Sequence, residues 1–252
     1  MLLDPFFVPQ CDGCLPKSVV LYSSTMADLT FSFADYHMRD VSEALIKECA
    51  QLFSDHYGFW NEQGYKPGGS VQLSAHRLRA QYLFDPNTCR LAVARHTSGE
   101  LAGQAFYCDF LYKPSGQRVV WVTQLVVSSK YRGCRLSTTM LVQPCANKNI
   151  FACGLVSSHP YAVKALESAS KTICDHALTL LHAERIVRAS RVSYIQDRPL
   201  VISMAGKSRR SVMVTDFQVC HKEVDAKRSA LADWQLGPLE SGEEFLALAF
   251  PK

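Results

Sequence analysis

The sequence has little net charge, no long apolar run and no second cysteine pair, and each absence removes a class of protein. Lysine and arginine number 27 against 23 acidic residues, a balance of +4, which is too weak to attract nucleic acid by itself. No stretch approaches the roughly 18 uninterrupted apolar residues of a membrane span. The opening MLLDPFFVPQ carries Asp4 and no basic residue, so it lacks a secretory n-region. The single C-x-x-C, Cys11 to Cys14, has no partner pair at zinc-ribbon spacing, and no metal site is expected. A cytoplasmic protein is expected, without nucleic-acid or membrane partners and with its oligomeric state open.

What is present is globular. The 252 residues are 48% apolar and 20% charged, a composition that excludes disorder and can fill a sizeable core. Of the ten cysteines, Cys49, Cys108, Cys153, Cys174 and Cys220 lie in apolar periodic stretches and are expected as reduced, buried thiols.

Periodicity organises the chain as follows. Residues 1–26 read as an irregular arm, and Leu29 to Phe33 alternates as a strand. Asp40 and Glu43 form a capping-box pattern ahead of a helix running to about Asp55. The aromatic, glycine-rich stretch Tyr57 to Gly69 is a loop, and a second helix is expected over Val71 to Leu83. Three antiparallel strands follow: Arg90 to Arg95, Leu101 to Phe110 and Val119 to Val127, with turns at Thr97–Glu100 and Tyr112–Gly116. A helix beginning near Thr138 is expected to end at Pro144. A strand spans Ile150 to Val156, and Pro160 sits at the first position of another helix. The remainder reads as a helix within Ile173 to Arg188, alternation from Val192, a basic loop at Gly206 to Arg210, a strand at Val212 to Val219, a short helix near Glu223 to Leu231 and a strand at Phe245 to Phe250. Residues 27–252 are read as one α+β domain with a C-terminal extension from about residue 173.

The informative junction is a strand feeding Tyr131-Arg-Gly-Cys-Arg-Leu-Ser137 and then a helix. First-turn N–H groups and the helix dipole suit a phosphate there, and Arg132 and Arg135 add charge. Val127 to Ser137 resembles the coenzyme-A loop of the GNAT acyltransferase superfamily, whose signature Arg/Gln-x-x-Gly-x-Gly/Ala lies between its fourth strand and third helix. Arg132 matches the first position, whereas Arg135 and Ser137 stand where glycines usually fall. The order of elements from about residue 27 to 170 agrees with that family, and the tail resembles the extended C-terminal region of fungal members. The resemblance implies a mixed, mostly antiparallel sheet with helices on both faces, splayed between the fourth and fifth strands.

It also implies acetyl-CoA or another acyl-CoA as cofactor. Leu125, Val126 and Val127 would pair with the pantetheine arm, and Arg132, Gly133, Cys134, Arg135, Leu136 and Ser137 would hold the pyrophosphate. Ser157 and Ser158 would face the same cleft. The family's usual glutamate and tyrosine are missing: Thr123 and Gln124 occupy the first neighbourhood and Leu166 the second. His159 and Tyr161 are the nearest titratable substitutes, His159 being either a proton carrier or a helix cap. Cys153 reads as core. His176 and His182 read as helix-surface residues, and Lys207, Arg209 and Arg210 as a basic run that is either a solvated loop or within reach of a 3′-phosphate. The expected function is acetyl transfer to a small-molecule amine in a ternary complex, with the aromatic loop Tyr57 to Tyr65 and the C-terminal extension shaping the acceptor pocket. The alternatives are an acyl-CoA-binding protein without transferase activity and another reaction of an acyl-CoA.

Overall fold

Alternating apolar residues and tight turns bring the central strands together as a meander. The computed structural model describes residues 20–26, 29–146, 149–205, 208–231 and 233–251. Strands β1 (Val20–Met26), β2 (Leu29–His37), β3 (Cys89–His96), β4 (Leu101–Tyr112) and β5 (Gln117–Val127) pair in succession, all antiparallel. Helices α1 (Glu43–His56) and α2 (Ala75–Tyr82) connect β2 to β3. After β5 come α3 (Leu136–Cys145), β6 (Ile150–Ser157), α4 (Pro160–Ser170) and α5 (His176–Ala189). The chain closes with β7 (Leu200–Ala205), β8 (Ser208–Val214), α6 (Lys222–Ser229) and β9 (Glu243–Ala249).

Among the described residues the sheet has nine strands in the order β1-β2-β3-β4-β5-β6-β9-β8-β7. The β5–β6 pair is parallel and every other neighbouring pair is antiparallel. Counted from Leu29, β5 and β6 are the fourth and fifth strands of the expected order. Period-two alternation gives the sheet two buried faces. Leu91, Phe106, Trp121, Leu246 and Leu248 pack under Leu45 and Ile46 of α1, Leu78 of α2 and Ile186 of α5. On the other face Ala92, Ala105, Val120, Leu155 and Phe245 meet Met140 and Leu141 of α3 and Val163 and Leu166 of α4. The fold is therefore α+β, a mostly antiparallel mixed sheet with helices on both faces.

Several boundaries differ from the sequence reading. The last seven residues of the expected arm form β1; residues 1–19, with Cys11 and Cys14, lie outside the described residues. The N-cap of α1 is Ser42, whose Oγ accepts from the Leu45 N–H at 3.2 Å, because Asp40 is taken up in a 3-10 turn. Helix α2 starts only after its cap, Ser74. Pro144 lies inside the last turn of α3, where its missing N–H forfeits a single bond. The alternation from Val192 forms turns before β7, and Ser208 to Arg210, expected in a loop, begin β8, with Gly206 and Lys207 outside the described residues. Strand β8 stops at Val214, and β9 starts two residues early, at Glu243. Cys220 is exposed, whereas Cys49, Cys108, Cys153 and Cys174 are buried as expected. The segment beyond residue 173 supplies β9, which lies beside β6 and is buried throughout.

Candidate active site

The parallel ladder of β5 and β6 ends at Val122 opposite Leu155. Beyond that point β6 continues beside β9 through Val156 and Ser157, while β5 runs on to Val127 beside β4 alone. A register shift between Phe106 and Tyr107 leaves Thr123 as an extra residue opposite β4, and a bulge of this kind bends its strand. Leu125, Val126 and Val127 therefore line an open strand edge inside the sheet, with backbone groups available to an extended ligand.

The loop that follows is anchored on both sides. Ser128 N–H donates to the Ala102 carbonyl at 2.9 Å, and the buried Tyr131 gives its hydroxyl to Glu100 Oε2 at 2.8 Å. Lys130 Nζ reaches the same oxygen at 3.0 Å, and these two donors hold the Glu100 carboxyl below its usual range. Arg132 Nη2 donates to the main-chain oxygen of His56 at 2.7 Å. The turn then needs left-handed backbone at Gly133 (φ 87°) and at Arg135 (φ 57°), a conformation natural to glycine and strained for arginine. Arg135 is the N-cap of α3 and offers no side-chain cap. Among the described residues the N–H groups of Leu136, Ser137 and Thr138 have no acceptor, and the Arg135 guanidinium has no hydrogen bond or ion pair. A strand edge for an amide-bearing arm and uncommitted helix-terminal amides for a pyrophosphate suit coenzyme A. The residues expected to bind the cofactor thus lie together in one stretch of fold.

The expected catalytic pair sits at the first turn of α4. His159 is its N-cap: Nδ1 accepts from the Tyr161 N–H at 3.3 Å, and the His159 N–H donates to Ser157 Oγ at 3.0 Å. Nε2 lies 3.4 Å from Lys227 Nζ. Tyr161 is 48% exposed. Leu166 and Cys153 are core residues; a hydrogen bond with Cys145 and, after it, burial push the Cys153 thiol well up. His176 is buried rather than on the surface, and His182 packs among Tyr112, Phe151 and Phe250. Arg209 donates to Gln235 and Arg210 is paired with Glu240 and Glu243.

On the α1 and α2 side of the splay lies a polar chamber of which the sequence reading named Thr123, Gln124 and, in general terms, the C-terminal extension. Gln104 Nε2 donates to Gln124 Oε1 at 2.6 Å, and the Tyr194 hydroxyl donates to the carbonyl of Thr123, the bulged residue, at 3.1 Å. Tyr82 packs beside Tyr194, with ring centroids 6.5 Å apart. Glu244 of β9 completes the chamber, 5% exposed, with Thr215 Oγ1 donating to its Oε2 at 2.8 Å. Burial pushes the Glu244 carboxyl up to about 7, the Thr215 hydroxyl and Ser158 N–H restraining it in part. Burial also raises the phenols of Tyr57, Tyr82 and Tyr194, and the Glu244 charge adds to each. All three rings nonetheless keep part of their surface accessible, as the wall of a cleft does. Of the aromatic loop only Tyr57 takes part here. Trp60 packs edge-on against Phe217, and Tyr65 is 93% exposed.

No family model and no curated protein matches the chain. Solved structures do. Diaminobutyrate acetyltransferase EctA from Paenibacillus lautus, in complex with L-2,4-diaminobutyric acid and coenzyme A, is 15% identical, with 88% of this chain and 95% of that chain covered and a TM-score of 0.39. An aminoglycoside acetyltransferase from an uncultured soil metagenomic sample, in complex with sisomicin, is 12% identical, covering 56% and 86%, with a TM-score of 0.39. An acetyltransferase of Trypanosoma brucei is 18% identical, covering 53% and 89%, with a TM-score of 0.35. All three are acetyltransferases by name.

Proposed function

We propose that the chain is an acetyl-CoA-dependent N-acetyltransferase that acts on a small-molecule amine by direct transfer in a ternary complex. The observation that carries this reading is the end of the β5–β6 ladder at Val122 and Leu155, with the open edge of β5 leading straight to the uncommitted amides of α3. Bound acetyl-CoA supplies an activated acyl thioester. Backbone groups of Leu125 to Val127 align the pantetheine arm, and the segment from Arg132 to Ser137 receives the pyrophosphate. A backbone N–H at the start of the open edge is positioned to stabilise charge on the acyl oxygen. The gap in the sheet joins the α3 and α4 side, where the cofactor lies in this reading, to the chamber of Gln124, Tyr82, Tyr194 and Glu244. Two substrates can therefore meet there without a covalent enzyme intermediate. Cys153, buried with its thiol pushed up, is unsuited to be a nucleophile. His159 and Tyr161 at the first turn of α4 are the candidates to hand a proton to the departing sulfur.

The test is calorimetric titration of the protein with acetyl-CoA, coenzyme A and desulfo-coenzyme A, followed by thiol release over a panel of primary amines. Micromolar binding and amine-dependent thiol release are expected. Failure of all three ligands to bind would overturn the reading. One observation favours a second reading, acyl-CoA binding without transfer: Leu166, fully buried in the core, stands where relatives place an acidic tyrosine. Binding without thiol release would select it.

A further inference from the structure

We infer that the chamber closed by Glu244 is the acceptor site, that it takes a primary ammonium group, and that Glu244 is the base that removes the ammonium proton. This rests on the acetyltransferase reading and adds to it the residue that the family's usual positions lack.

Three observations carry it. A carboxylate at 5% exposure normally has a cationic partner, because an unpaired buried charge is costly. Glu244 has none among the described residues. The groups facing it are Thr215 after β8, Ser158 after β6, and the phenols of Tyr57 after α1, Tyr82 on α2 and Tyr194 before β7. None is a cation, so the carboxyl holds its proton up to about pH 7, and a cation brought by the ligand would be its one charged partner when it ionises. Second, two buried polar atoms of the same neighbourhood, Gln104 Oε1 and Thr123 Oγ1, lack a hydrogen-bond partner among the described residues. Buried polar groups are rarely left so unless something else binds them. Third, phenol rings facing a carboxylate suit an alkylammonium, whose charge favours the ring faces. A second carboxylate on the acceptor near its amine would be repelled by Glu244.

Proton transfer here is balanced. An N–H bond of the ammonium breaks, an O–H bond forms on Glu244, and the amine keeps the electron pair. Over a turnover this proton passes to solvent. A second leaves the nitrogen as the C–N bond forms and the C–S bond breaks, and the sulfur departs as a thiol carrying one proton. A carboxyl poised near neutrality, as burial makes this one, exchanges protons efficiently at physiological pH.

The experiment measures thiol release from acetyl-CoA with 2-phenylethylamine, hexylamine and 1,4-diaminobutane between about pH 5.5 and 9. It uses wild type, Glu244→Gln and Glu244→Asp, with acetyl-CoA affinity measured in parallel. Wild-type kcat/KM is expected to rise through an acid limb near pH 7. Glu244→Gln should lose roughly 10²- to 10⁴-fold in kcat/KM, together with the limb, while acetyl-CoA affinity stays within twofold. Glu244→Asp should retain the limb at reduced rate, which a purely structural role would not produce. Full activity with an intact limb in Glu244→Gln, or no acid limb in wild type, would overturn the inference. Wild type that binds acetyl-CoA yet acetylates none of these amines would also overturn it and leave the cofactor site standing. Wild type that binds no acetyl-CoA would overturn the functional reading itself.

Discussion

Arg132 is tied to His56: its Nη2 donates to the main-chain oxygen of the last residue of α1 at 2.7 Å. That oxygen is one of the four carbonyls a helix leaves unpaired at its C-terminus, where a cation is favourable. The His56 ring returns the contact, with Nδ1 accepting from the Ser129 N–H at 3.3 Å. Arg132 thus fixes the cofactor loop to α1. Arg132→Ala should cost about 0.5–1 kcal/mol of stability and weaken acetyl-CoA binding several-fold through the loop. Arg132→Lys, which can still reach a carbonyl, should recover most of both. Thermal melts and calorimetry on the two variants decide it, and equal loss of affinity in Ala and Lys would rule out the anchoring role.

Arg135 is the opposite case. It is exposed, left-handed at φ 57° and makes no ion pair among the described residues. Arg135→Gly relieves the backbone strain and should stabilise the protein by up to about 1 kcal/mol. The same change removes a charge next to the amides of α3, so acetyl-CoA affinity should fall and its dependence on salt should become shallower. Higher affinity in Arg135→Gly would mean that the side chain obstructs the cradle rather than serving it.

Much of the fold around the proposed cofactor side was legible because its signals are local. The strands from Cys89 to Val127 alternate and are punctuated by Thr97–Glu100 and Tyr112–Gly116. The basic turn is bounded by a β-forming run and a helix, and Pro160 marks the start of α4. What failed was decided by competition or by distance. Asp40 and Ser42 are two cap-forming residues two positions apart, and a 3-10 turn over Met38–Asp40 hands the role to Ser42. The proposed acceptor side is assembled from Tyr82, Gln104, Gln124, Tyr194 and Glu244, which share no local pattern. One signal was present. Glu244 is in phase with Leu246 and Leu248, so extending the last strand back by two residues places the carboxyl on their buried face. The acidic pair Glu243–Glu244 instead reads as the polar boundary of a strand.

Gly154 shapes the wall beneath the chamber. A Cβ there would come within 2.7 Å of Trp121 Cζ3 and 2.8 Å of Leu248 Cδ2, closer than real contacts, and both neighbours are fully buried. Trp121 precedes Val122, the last residue of the β5–β6 ladder, so its displacement would be felt at the splay. Gly154→Ala should destabilise by about 1–3 kcal/mol, as overpacked cores do, and should reduce amine acetylation more than acetyl-CoA binding. Chemical denaturation and the two affinities test this. A variant with wild-type stability would show that the wall yields elsewhere.

Glu244 makes a prediction about stability that needs no substrate. Its ordinary value is near 4.5 and burial raises it to about 7 in the folded chain. Between these values the unfolded chain has lost the proton and the folded chain still holds it, so the unfolded state binds fewer protons. Linkage then requires stability to fall as pH rises. The contribution is fully present below about pH 4.5 and lost by the time pH passes 7. At about 1.4 kcal/mol per pH unit the loss is on the order of 3 kcal/mol. Glu244→Gln carries no titrating group and escapes it. The difference in unfolding free energy, variant minus wild type, should therefore climb between about pH 4.5 and 7 and then level off. Subtracting the two curves removes every other titrating group. A difference that stays flat across this range would mean that the Glu244 carboxyl titrates alike in the folded and unfolded chains, and its use as a base near neutrality would lose its physical ground.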